Sequence, residues 1–416
     1  MLLGCIGDDF TGSSDLGLTL ANRGMRVTQY CGIPSAPAES DVDAGVVALK
    51  TRTCPADRAV EDSLAALNWL RDQGCRRYFF KYCSTFDSTP QGNIGPVIDA
   101  LTSALNLPRA IVCPAFPANG RSLYMGHLFV GDRLLSESSM RDHPLTPMRD
   151  SDIRRWLSQQ TRQRVGHIAH PVVAAGRDAI RAALDTVVAN GSSIVVVDAV
   201  SDADLHQIGL ACPEDTLITG GSGIGLGLPE SLGITARTDR VSWTGRSGPA
   251  AILSGSCSSM TRMQVARYAL SHPSLAIDPV QILAGAQTAD GVADWLIQRS
   301  DDAPIAYSTA DPKSVAAAQA SLGREASANL IETLFADVAV RLRDAGIARL
   351  VVAGGETSGA VVTALGLSQL EIGPEIAPGV PAMSAGGHGP ALALKSGNFG
   401  DADFFETALT VLEGGS

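Results

Sequence analysis

The chain has 416 residues, 45% of them hydrophobic and 18% charged, and a formal net charge of −11. That length exceeds what one hydrophobic core usually serves, so two domains are expected. The acidic balance and sparse aromatics disfavour nucleic acid and anionic membrane as partners.

The first apolar run, Leu2 to Ile6, reads as a buried strand rather than a signal peptide, because no basic region precedes it and it stops at Asp8. Nothing later is long enough to span a bilayer, and a cytoplasmic protein is expected. Next comes Gly7-Asp8-Asp9-Phe10-Thr11-Gly12-Ser13-Ser14-Asp15, with Thr11 to Asp15 read as the cap of a helix through Leu16 to Ala21. Strand and helix then alternate. Arg26–Cys31 and Gly45–Leu49 read as strands, Ala56–Gln73 as a helix ended by Gly74, Arg77–Tyr82 as a strand, Ile94–Leu105 as a helix, and Ala110–Cys113 as a strand. Residues 117–150 are too long and too polar for an ordinary connection, which predicts a functional flap. Ser193–Val200 is again a strand.

The stretch Gly220 to Gly227 looks like a dinucleotide fingerprint, but Leu226 stands where the last glycine would be needed from Gly221. A flexible domain junction is the preferred reading, and Thr235–Pro249 reads as a linker. A second α/β unit begins at Ala250–Gly255. It continues through Leu275–Ile277, Pro304–Tyr307 and Leu350–Ala353 as strands, with a long helix over Glu325–Asp344. The expected architecture is therefore two α/β domains with mainly parallel sheets flanked by helices, the active site lying in the cleft between them. The boundaries read 1–230, a linker at 231–249, and 250–416.

None of the eight cysteines forms a Cys-x-x-Cys pair, so each is expected as a free thiol in a reducing compartment. His167 and His170 have a spacing that could hint at metal, but no Cys or carboxylate pattern accompanies them. A zinc site is not expected, and metal ligands stay unknown.

In the second unit three turns follow strands: Ser254 to Ser259, Gly354 to Gly359, and Lys395 to Gly400. A helix start offers backbone N–H groups and a positive dipole end, glycine lets a phosphate approach, and hydroxyls add donors. Together they suggest a polyphosphate cradle, although the chain contains no Gly-Lys-Ser/Thr sequence. In the first unit, Thr51-Arg52-Thr53, Lys81 and Ser84 to Thr89 join Asp8, Asp9 and Asp15 at strand ends. Cations can hold a substrate carboxylate, and carboxylates and hydroxyls can hold substrate hydroxyls or take a proton.

These loops, in this order, resemble the four-carbon acid sugar kinase family over essentially the whole chain. The resemblance rests on Gly7 to Gly12, Lys81 to Thr89, Gly354 to Gly359 and Lys395 to Gly400. It implies an N-terminal sugar-acid-binding domain and a C-terminal nucleotide-binding domain. The flap sequences Tyr124 to Asp132 and His143 to Met148 look like the branch acting on 3-oxo-tetronate, implying ATP-dependent phosphorylation of its 4-hydroxyl.

The two readings together give Asp8, Asp9 and Asp87 as candidate catalytic carboxylates, and Asp15, Arg52, Lys81, Ser84 and Ser88 as substrate ligands. ATP falls to Ser254, Ser256, Ser258, Gly354, Gly355, Glu356, Thr357, Ser358, Gly397, Asn398 and Gly400. Mg²⁺ would bridge the phosphates. Partners are the sugar acid and ATP, with a homodimer left open. The alternatives are a threonate or erythronate kinase of the same family, a non-catalytic sugar-acid sensor, and a dehydrogenase, which the failed fingerprint disfavours.

Overall fold

A computed structural model describes residues 1–143, 145–234, 243–309, 323–387 and 389–415. Pro144 of the flap and residues 235–242 of the expected linker lie outside these. The chain forms two compact units, Met1–Arg240 and Val241–Ser416.

The first unit is built on eight parallel strands in the order β2-β3-β1-β4-β11-β5-β10-β9. They are β1 (Leu3–Gly7), β2 (Val27–Cys31), β3 (Ala44–Ala48), β4 (Arg77–Lys81), β5 (Arg109–Cys113), β9 (Val165–Ile168), β10 (Ile194–Val197) and β11 (Thr216–Gly220). Most are buried along their whole length, as strands covered on both faces must be. The chain runs from β1 to β2 and β3 on one side, then crosses to β4 on the other. The β1/β4 boundary is thus a topological switch point, where loops part and a crevice opens at the carboxyl ends.

The flap is not irregular. It contains a three-stranded antiparallel sheet of β6 (Arg121–Tyr124), β7 (His127–Val130) and β8 (Arg133–Leu134). Its tip turns through Met125 (φ 50°) and Gly126 (φ 75°).

The second unit has seven strands in the order β13-β14-β12-β15-β18-β17-β16. They are β12 (Ala250–Ser254), β13 (Ser274–Ala276), β14 (Ile305–Tyr307), β15 (Arg349–Ala353), β16 (Gln369–Ala377), β17 (Val380–Ser384) and β18 (Ala391–Lys395). The first five positions of that order are parallel, and β16 and β17 add an antiparallel hairpin. Its turn is Pro378-Gly379, with Gly379 at φ 80°. The sequence reading missed this hairpin because Pro374 and Pro381 fall inside its strands. Here the switch point lies between β12 and β15. The core packs Ile252, Val351 and Ala393 against Phe404, Phe405 and Leu412 of the C-terminal helix Phe404–Glu413.

Two local expectations change. The first helix spans Phe10–Ala21, so Asp9 is its N-cap and the cap falls before Thr11. The Gly220–Gly227 stretch is no flexible junction. It ends β11 and forms the largely buried 3₁₀ turn Ser222–Gly227 within the first unit. Its glycines serve close packing: a Cβ on Gly220 would lie 2.0 Å from the Cys113 carbonyl oxygen, and one on Gly209 2.8 Å from Gly227 Cα.

Candidate active site

In the first unit, strand register sets Ala48, Gly7, Lys81, Gly220 and Cys113 in one row of partners. Whatever follows these residues emerges at one sheet edge. Asp8 and Asp9 follow Gly7, and Thr51 and Arg52 follow Ala48. The backbone amides of Thr51 and Arg52 donate to the Asp8 carbonyl at 2.9 and 3.2 Å. Asn93 Nδ2, in turn, donates to the carbonyls of Thr51 at 2.7 Å and Cys54 at 3.1 Å, fixing that turn.

Arg52 then reaches both carboxylates. Its Nε donates to Asp8 Oδ2 at 2.9 Å and its Nη2 to Asp8 Oδ1 at 2.8 Å, a bidentate pair. Nη2 also donates to Asp9 Oδ1 at 2.7 Å. Burial raises the Asp8 pKa, and the Arg52 cation offsets this only in part. Burial works on Asp9 the same way, but Arg52, Lys81, the Thr11 hydroxyl and the Gly12 amide outweigh it and hold its carboxyl below the usual range. Asp9 is also occupied as the helix cap, accepting from Gly12 N at 2.9 Å and Thr11 Oγ1 at 2.8 Å.

Lys81 is buried at the end of β4, its ammonium donating to the Tyr82 carbonyl at 2.9 Å. A Cβ on Gly12 would stand 2.8 Å from Lys81 Nζ, so glycine there gives the ammonium its place. An ammonium carries three donors, and this one uses a single acceptor among the described residues. Asp15 is its counterpart. It is 6% exposed; Ser222 Oγ donates to Oδ2 at 2.6 Å, while Oδ1 is buried with no partner among the described residues. Burial drives its pKa up to about 6, against the pull of Lys81, Ser222 and the flap residue Arg121.

The Ser84–Thr89 loop is held at a cost. Phe86 has φ 56°, and its fully buried ring meets Tyr82 edge-on at 5.4 Å. Thr85 Oγ1 donates to Asp87 Oδ1 at 2.5 Å. Ser84 is half-buried and faces Gly221, where a Cβ would come within 3.5 Å of it. Ser88 is engaged elsewhere, accepting from Trp156 Nε1 at 3.0 Å and Gln160 Nε2 at 2.9 Å. Thus Asp8, Asp9, Asp15, Arg52 and Lys81 share direct contacts or charge coupling, whereas Ser88 ties the loop to the segment that follows the flap, at Trp156 and Gln160.

Sequence reasoning missed Ser222 and Asp198. Asp198 is fully buried and accepts from the Met125, Gly126 and His170 amides at 2.6, 2.9 and 3.0 Å, with His167 Nε2 at 3.0 Å. It pins the flap tip to the end of β10. His167 and His170 are thereby bound to Asp198 and Asp204, and no group of three or more His, Cys, Asp or Glu placed to hold a metal occurs among the described residues.

In the second unit the row is Ser254, Ala353 and Lys395, on three adjacent strands. All three expected turns therefore start side by side. Ser254 itself is fully buried and bonded to Thr309 Oγ1 at 2.9 Å. Ser258 caps the helix Ser259–Tyr268 through Thr261 N at 3.1 Å, and its hydroxyl donates to the Gly397 carbonyl. Ser256 Oγ accepts from Ser258 N at 3.3 Å.

Helix Gly355–Ala364 starts after Gly354 (φ 123°) with no side-chain cap, so its first turn presents donors to an anion. Buried Thr357 and Ser358 line its inner side, and a Cβ on Gly255 would sit 2.0 Å from Thr357 Oγ1. Glu356 and Asn398 are exposed, and Gly400 turns the third loop at φ 76°. The residues fit a polyphosphate: small, rich in hydroxyls, and open at a helix start.

The chain is thus a two-unit α/β protein with charged side chains gathered at one sheet edge of the first unit and three neighbouring strand-end turns in the second. Residues 3–228 match the sugar-binding N-terminal domain and residues 251–405 the nucleotide-binding C-terminal domain. The chain belongs to the four-carbon acid sugar kinase family. It is 50% identical to a 3-oxo-tetronate kinase of Burkholderia multivorans, covering 99% of this chain and 98% of that one. A 3-oxo-tetronate kinase of Cupriavidus necator is also 50% identical at the same coverage. Among solved structures, a Salmonella typhimurium protein called a tRNA synthase is 42% identical with a TM-score of 0.87, covering 98% of each chain. A Haemophilus influenzae protein is 40% identical with a TM-score of 0.78, covering 98% of this chain and 100% of that one.

Proposed function

We propose that this chain is an ATP-dependent kinase that phosphorylates the 4-hydroxyl of 3-oxo-tetronate. The observation that carries the reading is a pair of complementary groups at one sheet edge: buried Lys81 with donors to spare and buried Asp15 with an oxygen unpartnered, both among the described residues. The first suits a substrate carboxylate and the second a substrate hydroxyl. The relatives' activity and the full-length match support the same substrate. A net charge of −11 works against binding the phosphate backbone that the tRNA-related name of the Salmonella structure would call for.

Lys81 holds the acid end, while Arg52 clamps Asp8 and Asp9 into a rigid floor. Asp15 accepts the hydroxyl proton as the oxygen attacks, a role suited to a carboxylate whose pKa stands near 6. Asp8, Asp9 and Asp87 remain candidates for hydroxyl binding around it. In the second unit the Ser254–Ser258, Gly354–Ser358 and Gly397–Gly400 turns hold ATP, with the Ser256 hydroxyl and the helix start facing its phosphates, while buried Ser254 and the engaged Ser258 hydroxyl hold the turns in place. Mg²⁺, when bound, would neutralise phosphate charge. The chain works in a reducing cytoplasm, in keeping with eight free cysteines and with no helix among the described residues long and apolar enough to cross a membrane.

The test is ATP consumption with 3-oxo-tetronate, threonate and erythronate, with the product identified by mass spectrometry. The expected result is a clearly higher kcat/KM for 3-oxo-tetronate and a 4-phosphate product. Preference for a reduced acid would move the chain to a sister activity. Binding without turnover would make it a sensor.

A further inference from the structure

Lys395 ends β18 and is 0% exposed. Its ammonium donates to Thr261 Oγ1 at 3.0 Å, the Ser396 carbonyl at 3.0 Å and the Gly397 carbonyl at 2.9 Å. Three donors meet three acceptors, which uses the full charged form. None of those acceptors carries charge. The Phe404 ring lies 5.7 Å away on another side.

The surrounding elements do carry charged groups, yet among the described residues none bonds to Lys395. Arg262 donates to the Cys257 carbonyl, Arg267 pairs with Asp403, and Glu406 with His272. Glu356 lies in the first turn of the Gly355–Ala364 helix and Asp401 just past the third loop, while Arg349 of β15 and Glu413 of the C-terminal helix pair with each other. A buried cation without a counter-charge is costly, and burial alone pushes its pKa down to about 7. Such a group calls for an anion supplied from outside.

Its partner carbonyl shows how it would act. Gly397 O accepts from Lys395 Nζ, from Thr261 Oγ1 at 2.7 Å, and from Ser258 Oγ. In a trans peptide the C=O and the next N–H point in opposite directions. Drawing the Gly397 carbonyl inward therefore turns the Asn398 amide outward, on a residue that is itself exposed.

We propose that Lys395 is a positioning residue of the nucleotide cradle, locking the Gly397–Asn398 peptide so that its amide faces the ATP phosphates, and that the polyphosphate supplies the anion its ammonium lacks. This deepens the kinase reading and rests on it. Bound ATP stabilises the charged ammonium, so binding above neutral pH takes up a proton.

The experiment uses MgATP on the full chain, wild type and Lys395→Met, with thermal melting as a check on folding. Calorimetry at about pH 8 in two buffers of different ionisation heat should show wild-type proton uptake that Lys395→Met lacks. The variant's KM for ATP at about pH 6.5 should rise roughly tenfold or more, with the sugar-acid KM within about twofold. Wild-type KM for ATP should climb as pH rises above about 7, and the variant's should not follow that slope. A folded variant with wild-type ATP affinity and pH slope overturns the proposal. If the variant does not fold, absence of proton uptake by the wild type overturns it. Failure of the kinase reading is separate: it would appear as wild-type MgATP binding without phosphorylation of 3-oxo-tetronate.

Discussion

Ser222 donates a hydrogen bond to Asp15 Oδ2 at 2.6 Å, joining two residues 207 positions apart, while Asp15 Oδ1 has no partner among the described residues. Burial raises the Asp15 pKa to about 6, with Lys81 and Ser222 opposing it. The carboxylate is the working form of a base, so kcat should fall as pH drops through about 6. Asp15→Asn should lower kcat roughly a hundredfold or more and remove that acid limb. Stability moves the other way. An acid whose folded pKa is raised favours the fold when protonated, and that contribution is lost as pH rises through about 6. The Asn variant should therefore melt at or above the wild-type temperature at pH near 7, by at most about 3 kcal/mol of added stability. A normal kcat and an unchanged acid limb would shift the base to Asp87 or Asp8.

Arg52 is the only cation hydrogen-bonded to both Asp8 and Asp9 among the described residues. Arg52→Met should leave Asp8 buried and unpaired and cost about 3 kcal/mol or more by chemical denaturation. Adding Asp8→Asn should recover part of that loss, because a neutral amide needs no counter-charge. Additive destabilisation in the double variant would show that the pair is not coupled.

Gly397 sits where a Cβ would come 2.6 Å from Ser256 Oγ and 3.0 Å from Ser258 Cβ. Gly397→Ala should push the third turn away from the first and weaken ATP binding about tenfold or more, with sugar-acid binding intact. Titration calorimetry of each ligand measures this directly. Equal loss for both ligands would mean a general folding defect.

Asp198 gathers three backbone amides and His167 at the flap tip. Asp198→Ala should release that tip, raising the sugar-acid KM while the ATP KM holds. Hydrogen exchange at Met125 and Gly126 should quicken, since those amides lose their acceptor. Unchanged exchange in that segment would remove Asp198 from the role.

Much was legible in the sequence because it is local. Apolar runs four to six residues long fix the strands, and Gly, Ser and Asp at their ends fix where turns and helix starts fall. Hence the alternating α/β pattern and the Asp8-Asp9, Lys81, Ser254, Gly354 and Lys395 turns could be placed by reading alone. The Gly220–Gly227 stretch misled because glycine serves both freedom and close packing, and only the neighbour at Gly209 distinguishes the two. Strand order decided the rest. With β1 between β3 and β4, Arg52 and Lys81 converge on Asp8 and Asp9 from opposite sides; with β11 next to β4, Ser222 reaches Asp15. Residue types and spacing named the groups that could do chemistry. Which carboxylate is clamped, which is left with an unpartnered oxygen, and which lysine is buried without a counter-charge depend on contacts across scores of residues, and those belong to the tertiary structure.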